Sequence, residues 1–214
     1  GRFDVSRTGW DSALEALADT LSGSVPPRAA GLVRSRLQRL DEGTLRVLRV
    51  AAVVGHADVL EPLAELAGLS AWAAAAGLAQ AQAAGLLHGR RFAHDLVRQV
   101  LADDTPEPMR VLWHAGIARR LADSLPPHVV AEHWWAAGDA AQALTATLAA
   151  AQLDGERGLL DAAERLLAAA AERLGESAPP ALDAARIDVA RAFLARQRLD
   201  LDAAESCAAR ALQA

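Results

Sequence analysis

The sequence predicts an all-α chain: a compact helical domain carrying one small β-hairpin, then a run of stacked helix pairs. Three observations predict it. Alanine dominates an apolar share of 52% while aromatic residues make up only 4%, a composition suited to helices that approach closely through small side chains. Apolar residues recur at intervals of three and four along most of the chain, and after Gly138 small residues recur at similar intervals behind successive turns. A single stretch, 86–93, is too short for a helix and is centred on a glycine.

At 214 residues the chain can hold one moderate domain or two small ones. All 22 basic residues are arginine, scattered rather than clustered, and the net charge is −5, which opposes broad nucleic-acid binding because phosphate neutralisation needs a basic face. Cys207 is the single cysteine, so no internal disulfide and no CxxC metal knuckle can form. No uncharged apolar run approaches the roughly 20 residues a bilayer requires, and no signal-peptide pattern opens the chain. A cytoplasmic location is expected, and the start at Gly1 without methionine reads as an excised fragment.

Taken in order, Asp11 caps a first helix bearing Ala13, Leu14, Leu17 and Leu21 that stops at Ser22-Gly23-Ser24. Val25-Pro26-Pro27 opens a second, with Leu32, Val33, Leu37 and Leu40 on one face. Asp41 caps a third that is apolar on nearly all sides toward Val50–Val54, the pattern of a helix at the centre of a domain, and Gly55 ends it. A fourth runs from about Val59 to Leu66 and stops at Gly68; Ser70 caps a fifth, which closes at Gly85.

Residues 86–93 then form a two-stranded hairpin, and helices followed by a hairpin make a winged-helix layout. Helical spacing returns at 94–102, with His94 at the cap and Asp95 favouring the helix dipole. Pro106 and Pro108 lead into a helix reaching Asp123, and Pro126-Pro127 into one ending at Gly138. Beyond it Ala143, Thr147 and Ala150, then Ala163, Leu167 and Ala170, then Ala204, Ala208 and Ala211 repeat a four-then-three spacing that lets helices stack as a solenoid.

Catalytic signatures are absent. A GxxxxGK[ST] phosphate loop cannot exist without lysine, and neither GxGxxG nor GxSxG occurs. His128 and His133 are five apart, whereas two zinc ligands on one helix face stand four apart, so these histidines read as packing or capping groups. The recognition-helix candidate 70–85 holds no charged residue, only Ser70, Gln80 and Gln82 among apolar side chains, which argues against direct DNA contact. Trp134 and Trp135 project about 100° apart on a helix, so one is expected inside and the other at a groove or interface.

Val25-Pro26-Pro27, Leu32 to Leu40 and Val50-Ala51-Ala52-Val53-Val54-Gly55 resemble the helical and winged-helix segment of bacterial signal-transduction ATPases with numerous domains, the STAND type. Ala84-Gly85-Leu86-Leu87 followed by Arg91-Phe92-Ala93-His94-Asp95-Leu96-Val97-Arg98 resembles that family's wing and exit helix. Ala131-Glu132-His133-Trp134-Trp135-Ala136-Ala137-Gly138-Asp139 is similar to the start of its tetratricopeptide-like sensor array. The family's Gly-Asn-Pro lead is not visible near Trp10, and Ala195 and Ala208 stand where its repeats carry bulky side chains.

The resemblance implies a segment of a larger ATP-dependent transcriptional regulator of the LuxR or antibiotic-regulator type. Residues 1–24 would be a lead-in and a helix from a preceding lid region, 25–104 a winged-helix-like domain, and 105–214 truncated tetratricopeptide-like repeats. ATP would belong to the parent protein, and no cofactor or metal to this chain. The partners implied are the protein's own ATPase domain, other subunits or a regulator, and a small-molecule effector, with no DNA and no membrane bound directly. The expected partner- or effector-binding residues are His133, Trp134 and Trp135, with Arg186, Arg191 and Arg198 on the face the repeats present to a ligand. A free-standing helical-repeat interaction scaffold is the alternative.

Overall fold

A computed structural model describes residues 27–55, 59–175 and 181–213. The fold is all-α with one small hairpin. Among the described residues the elements are α1 (Pro27–Leu37), α2 (Glu42–Val54), α3 (Leu60–Ala67), α4 (Ala71–Ala83), β1 (Leu87–His88), β2 (Arg91–Phe92), α5 (Asp95–Asp103), α6 (Glu107–Arg120), α7 (Pro127–Ala136), α8 (Ala140–Glu156), α9 (Leu160–Gly175), α10 (Ala181–Gln197) and α11 (Leu201–Gln213). The helix expected from Asp11, and the whole 1–24 segment, lie outside the described residues. Two compact units, Gly1–Gly116 and Ile117–Ala214, divide the chain, so their boundary falls inside α6 and beyond Asp104.

In the first unit α2 is central. Its N-cap Asp41 accepts the Thr44 backbone N–H at 2.9 Å, satisfying a donor that the first turn leaves open, and Gly55 closes the other end in the left-handed conformation. Leu48 and Ala52 face one apolar cluster with Val33, Leu86, Val97 and Leu101, while Val47, Val50 and Ala51 face a second with Leu63, Ala67, Ala74 and Trp113. Each fully buried aliphatic side chain contributes about 1.5–3 kcal/mol, so a helix feeding both clusters holds the unit together.

The hairpin pairs Leu87 with Phe92 and His88 with Arg91, antiparallel, and turns at Gly89, whose φ of 60° favours glycine. The Gln82 side-chain amide donates to the Gly89 carbonyl, tying the turn to α4. Leu87 is buried beneath the hairpin, and α5 packs Val97, Val100 and Leu101 behind it. His94 is the N-cap of α5 in extended conformation but makes no side-chain cap bond. Arg34 fastens α1 to the end of α5 through Asp104, with Nε and a terminal nitrogen at 2.9 and 2.8 Å from its carboxylate.

In the second unit the helices pair as hairpins with closely similar turns. Gly138, Gly158 and Leu199 all adopt the left-handed conformation. In each turn that residue's N–H bonds the carbonyl three residues back, and the next N–H reaches the one five back: Gly138 to Trp135 and Asp139 to Trp134, Gly158 to Gly155 and Leu159 to Asp154, Leu199 to Arg196 and Asp200 to Ala195. Asp139 and Asp200 then cap α8 and α11 by accepting the Gln142 and Ala203 N–H groups.

Two local expectations are corrected. The helix expected to reach Asp123 ends at Arg120, where buried Leu121 begins a turn over 121–125; Pro126 beyond it keeps Leu125 out of a continuing helix. The small-residue seam holds on α8 through Ala143, Thr147 and Ala150 and on α9 through Ala163, Leu167 and Ala170, all buried. On α11 it fails at Ala208, which is exposed; buried Ala204 and half-buried Cys207 and Ala211 run three then four, not four then three.

Candidate functional site

A trough of about 710 Å³ opens between α8 and α10 in the second unit. Thr145, Leu148, Ala149 and Gln152 form one wall, at the three-and-four spacing that keeps them on one face of α8. Leu182, Ala185, Arg186, Val189 and Phe193 form the other, while buried Leu194 and Ala151 close the floor. Leu182, Val189 and Phe193 remain 71, 59 and 42% exposed, so three large apolar side chains of one helix face lie open together. Gly155 lets α8 come this close to α10: a Cβ there would stand 2.8 Å from Leu194 Cδ2.

Of the six residues expected to bind a partner, Arg186 alone lines this trough. Its guanidinium donates to Thr145 Oγ1 at 3.0 Å across the cleft and stands 3.5 Å from Asp183 on its own helix. Arg191 instead pairs with Glu164 at 3.0 Å and Arg198 with Asp161 at 2.5 Å, both on α9. These two arginines tie helices together, and half-exposed pairs of this kind contribute about 0–1 kcal/mol each.

The α7 residues form a separate cluster. His133 and Trp134 are buried, and the Arg119 guanidinium lies 5.7 Å from the Trp134 ring centroid. Trp135 is half-buried, its indole N–H donating to Thr147 Oγ1 at 3.4 Å and its ring covered by Arg173. His128, five residues before His133, is exposed, and among the described residues no three His, Cys, Asp or Glu side chains are grouped to hold a metal ion.

The trough was not predicted. Its signal was present as Leu182, Val189 and Phe193 at seven- and four-residue spacing on α10, but that stripe reads equally as a buried face until the fold, among the described residues, leaves it exposed. In the first unit Trp72 is 85% exposed at the start of the uncharged helix α4. Among the described residues no single helix is long and apolar enough to cross a membrane; α3 and α4 together are apolar enough but meet at 102°.

An all-α chain with an open apolar trough between two of its stacked helices is the class that fold and site define. No family model matches the sequence, and no curated protein and no solved structure matches it.

Proposed function

We propose that this chain is a non-catalytic, cytoplasmic binding segment whose second unit takes a protein partner or effector in the trough between α8 and α10, serving as the sensor of a larger ATP-dependent transcriptional regulator. The observation that carries the binding role is the exposure of Leu182, Val189 and Phe193 along one wall of that trough. Exposed apolar side chains lower solubility and are favoured where a partner covers them. The place within a regulator rests on the resemblance of Ala131 to Asp139, and of the segment from Val25 to Arg98, to the signal-transduction ATPases described above. In such a parent, differential affinity of the ligand for two dockings of the repeats is what would move the switch.

The trough is tested with an apolar fluorescent anion, anilinonaphthalene sulfonate. One saturable site, lost in Val189→Asp with the helical circular dichroism unchanged, is expected; binding indifferent to that substitution overturns the reading. The parent protein is tested by immunoblot of source cells with an antibody against this chain. A band several times larger than 22.4 kDa is expected, and a band at that size favours the free-standing scaffold instead.

A further inference from the structure

We propose that the occupant of the α8–α10 trough is an amphipathic helix of a partner protein carrying an acidic side chain between its apolar anchors, and that Arg186 reads that acid. The proposal rests on the binding role assigned above and names the ligand's chemistry.

Three features of the trough lead there. The first is shape. Pockets for small molecules enclose about 70–90% of the ligand surface, whereas this trough leaves Leu182 and Val189 mostly open to water. A helix laid along it covers them.

The second is spacing. Leu182, Val189 and Phe193 stand seven and four residues apart, so they form one stripe along α10 about 16 Å long at 1.5 Å per residue. A partner helix of about three turns, with its own anchors at three, four and seven, interleaves with such a stripe. Leu148 and Ala149 on α8 supply the opposite wall, and the small side chains Ala149 and Ala185 leave room for the incoming residues.

The third is charge. Among the described residues Arg186 is the one ionisable side chain lining the trough, midway between Leu182 and Val189. It presents five N–H donors, one of which the Thr145 bond uses. Asp183 stands at 3.5 Å, in the first turn of α10, and does not line the trough. A wholly apolar partner would bury the guanidinium with only the Thr145 hydroxyl and the 3.5 Å approach of Asp183 in place of its water; a carboxylate on the partner adds a fork-matched acceptor for the remaining N–H groups. The chain's net charge of −5 gives an acidic helix no long-range attraction, but at physiological salt that field is screened beyond about 8 Å, so the local guanidinium decides.

The test uses the full chain and two synthetic, helix-stabilised peptides of identical apolar pattern, with leucine anchors at three, four and seven and either Glu or Lys at the central position. Binding is read by fluorescence anisotropy. The Glu peptide is expected to bind the natural chain about tenfold or more tightly than the Lys peptide, and Arg186→Glu to reverse that order, with circular dichroism confirming both chains folded. Equal binding of the two peptides, abolished by Val189→Asp, overturns the acidic partner and leaves the binding role standing. Binding of neither peptide, or binding that Val189→Asp does not change, overturns the acidic partner and the trough together.

Discussion

The Arg173 guanidinium lies 5.4 Å from the Trp135 ring centroid while two of its nitrogens bond the Glu132 carboxylate at 3.2 and 3.3 Å, so one α9 side chain grips two residues of α7 and ties the helices together. Trp135 also packs against the cluster of Leu144, Leu167 and Leu174. Spent on these contacts, it sits outside the trough.

Trp135→Ala is therefore expected to destabilise the second unit by about 2–3 kcal/mol, below the range for a fully buried aromatic because the side chain is half-exposed. Arg173→Ala is expected to cost about 1 kcal/mol, the sum of an exposed cation–π contact and an exposed ion pair. Urea unfolding measures both. A Trp135→Ala chain of unchanged stability that has lost peptide binding would return Trp135 to the role the sequence suggested.

Gly77 is the point where α4 meets α2. A Cβ built there stands 3.1 Å from Thr44 Oγ1 and 3.2 Å from Thr44 Cα, and the latter is backbone that cannot rotate aside. Alanine gains about 1 kcal/mol of helix propensity, against about 1–3 kcal/mol for overpacking. Gly77→Ala is expected to lower the thermal midpoint; a raised midpoint would mean that the two helices separate at little cost.

Leu199 occupies the turn position that Gly138 and Gly158 fill in the preceding hairpins, with a φ of 61° and its side chain 85% exposed. The left-handed conformation costs a residue with a Cβ about 1–2 kcal/mol, while glycine gives back about 0.5–1 kcal/mol in the freedom of the unfolded chain. Leu199→Gly is expected to stabilise the chain by about 0.5–1 kcal/mol in denaturant unfolding, and destabilisation would show that the leucine side chain holds a contact of its own.

Two groups set an acid limit on the first unit. Burial, and secondarily the charge of Arg110, hold the His114 imidazole below its ordinary value of 6.5. As pH falls below 6.5 the unfolded chain takes up this proton more readily than the folded one, so stability is level above that pH and declines beneath it. The Thr44 N–H and hydroxyl hold the Asp41 carboxyl below its ordinary 3.8, a contribution present above that pH and lost as pH falls through the folded value. Urea titrations from pH 7.5 down to about 5 should show the first decline, and His114→Gln should flatten it. An unchanged slope in that variant would assign the decline elsewhere.

The sequence by itself determined the elements whose causes are local. Asp41 and Ser70 as caps, Gly55, Gly68 and Gly138 as stops, and the hairpin around Gly89 were legible because a cap or a turn is decided by residues within about one helical turn of it. So was the all-apolar α2. What only the tertiary structure decided depends on which residues meet across long separations. Nothing near Arg191 or Arg198 foretells that Glu164 and Asp161 would take them and leave Arg186 in the trough. Nor does the α10 stripe say whether a neighbouring helix covers it, since Leu182, Val189 and Phe193 show the same periodicity buried or bare. Periodicity marks an apolar face; only packing decides whether that face is core or surface.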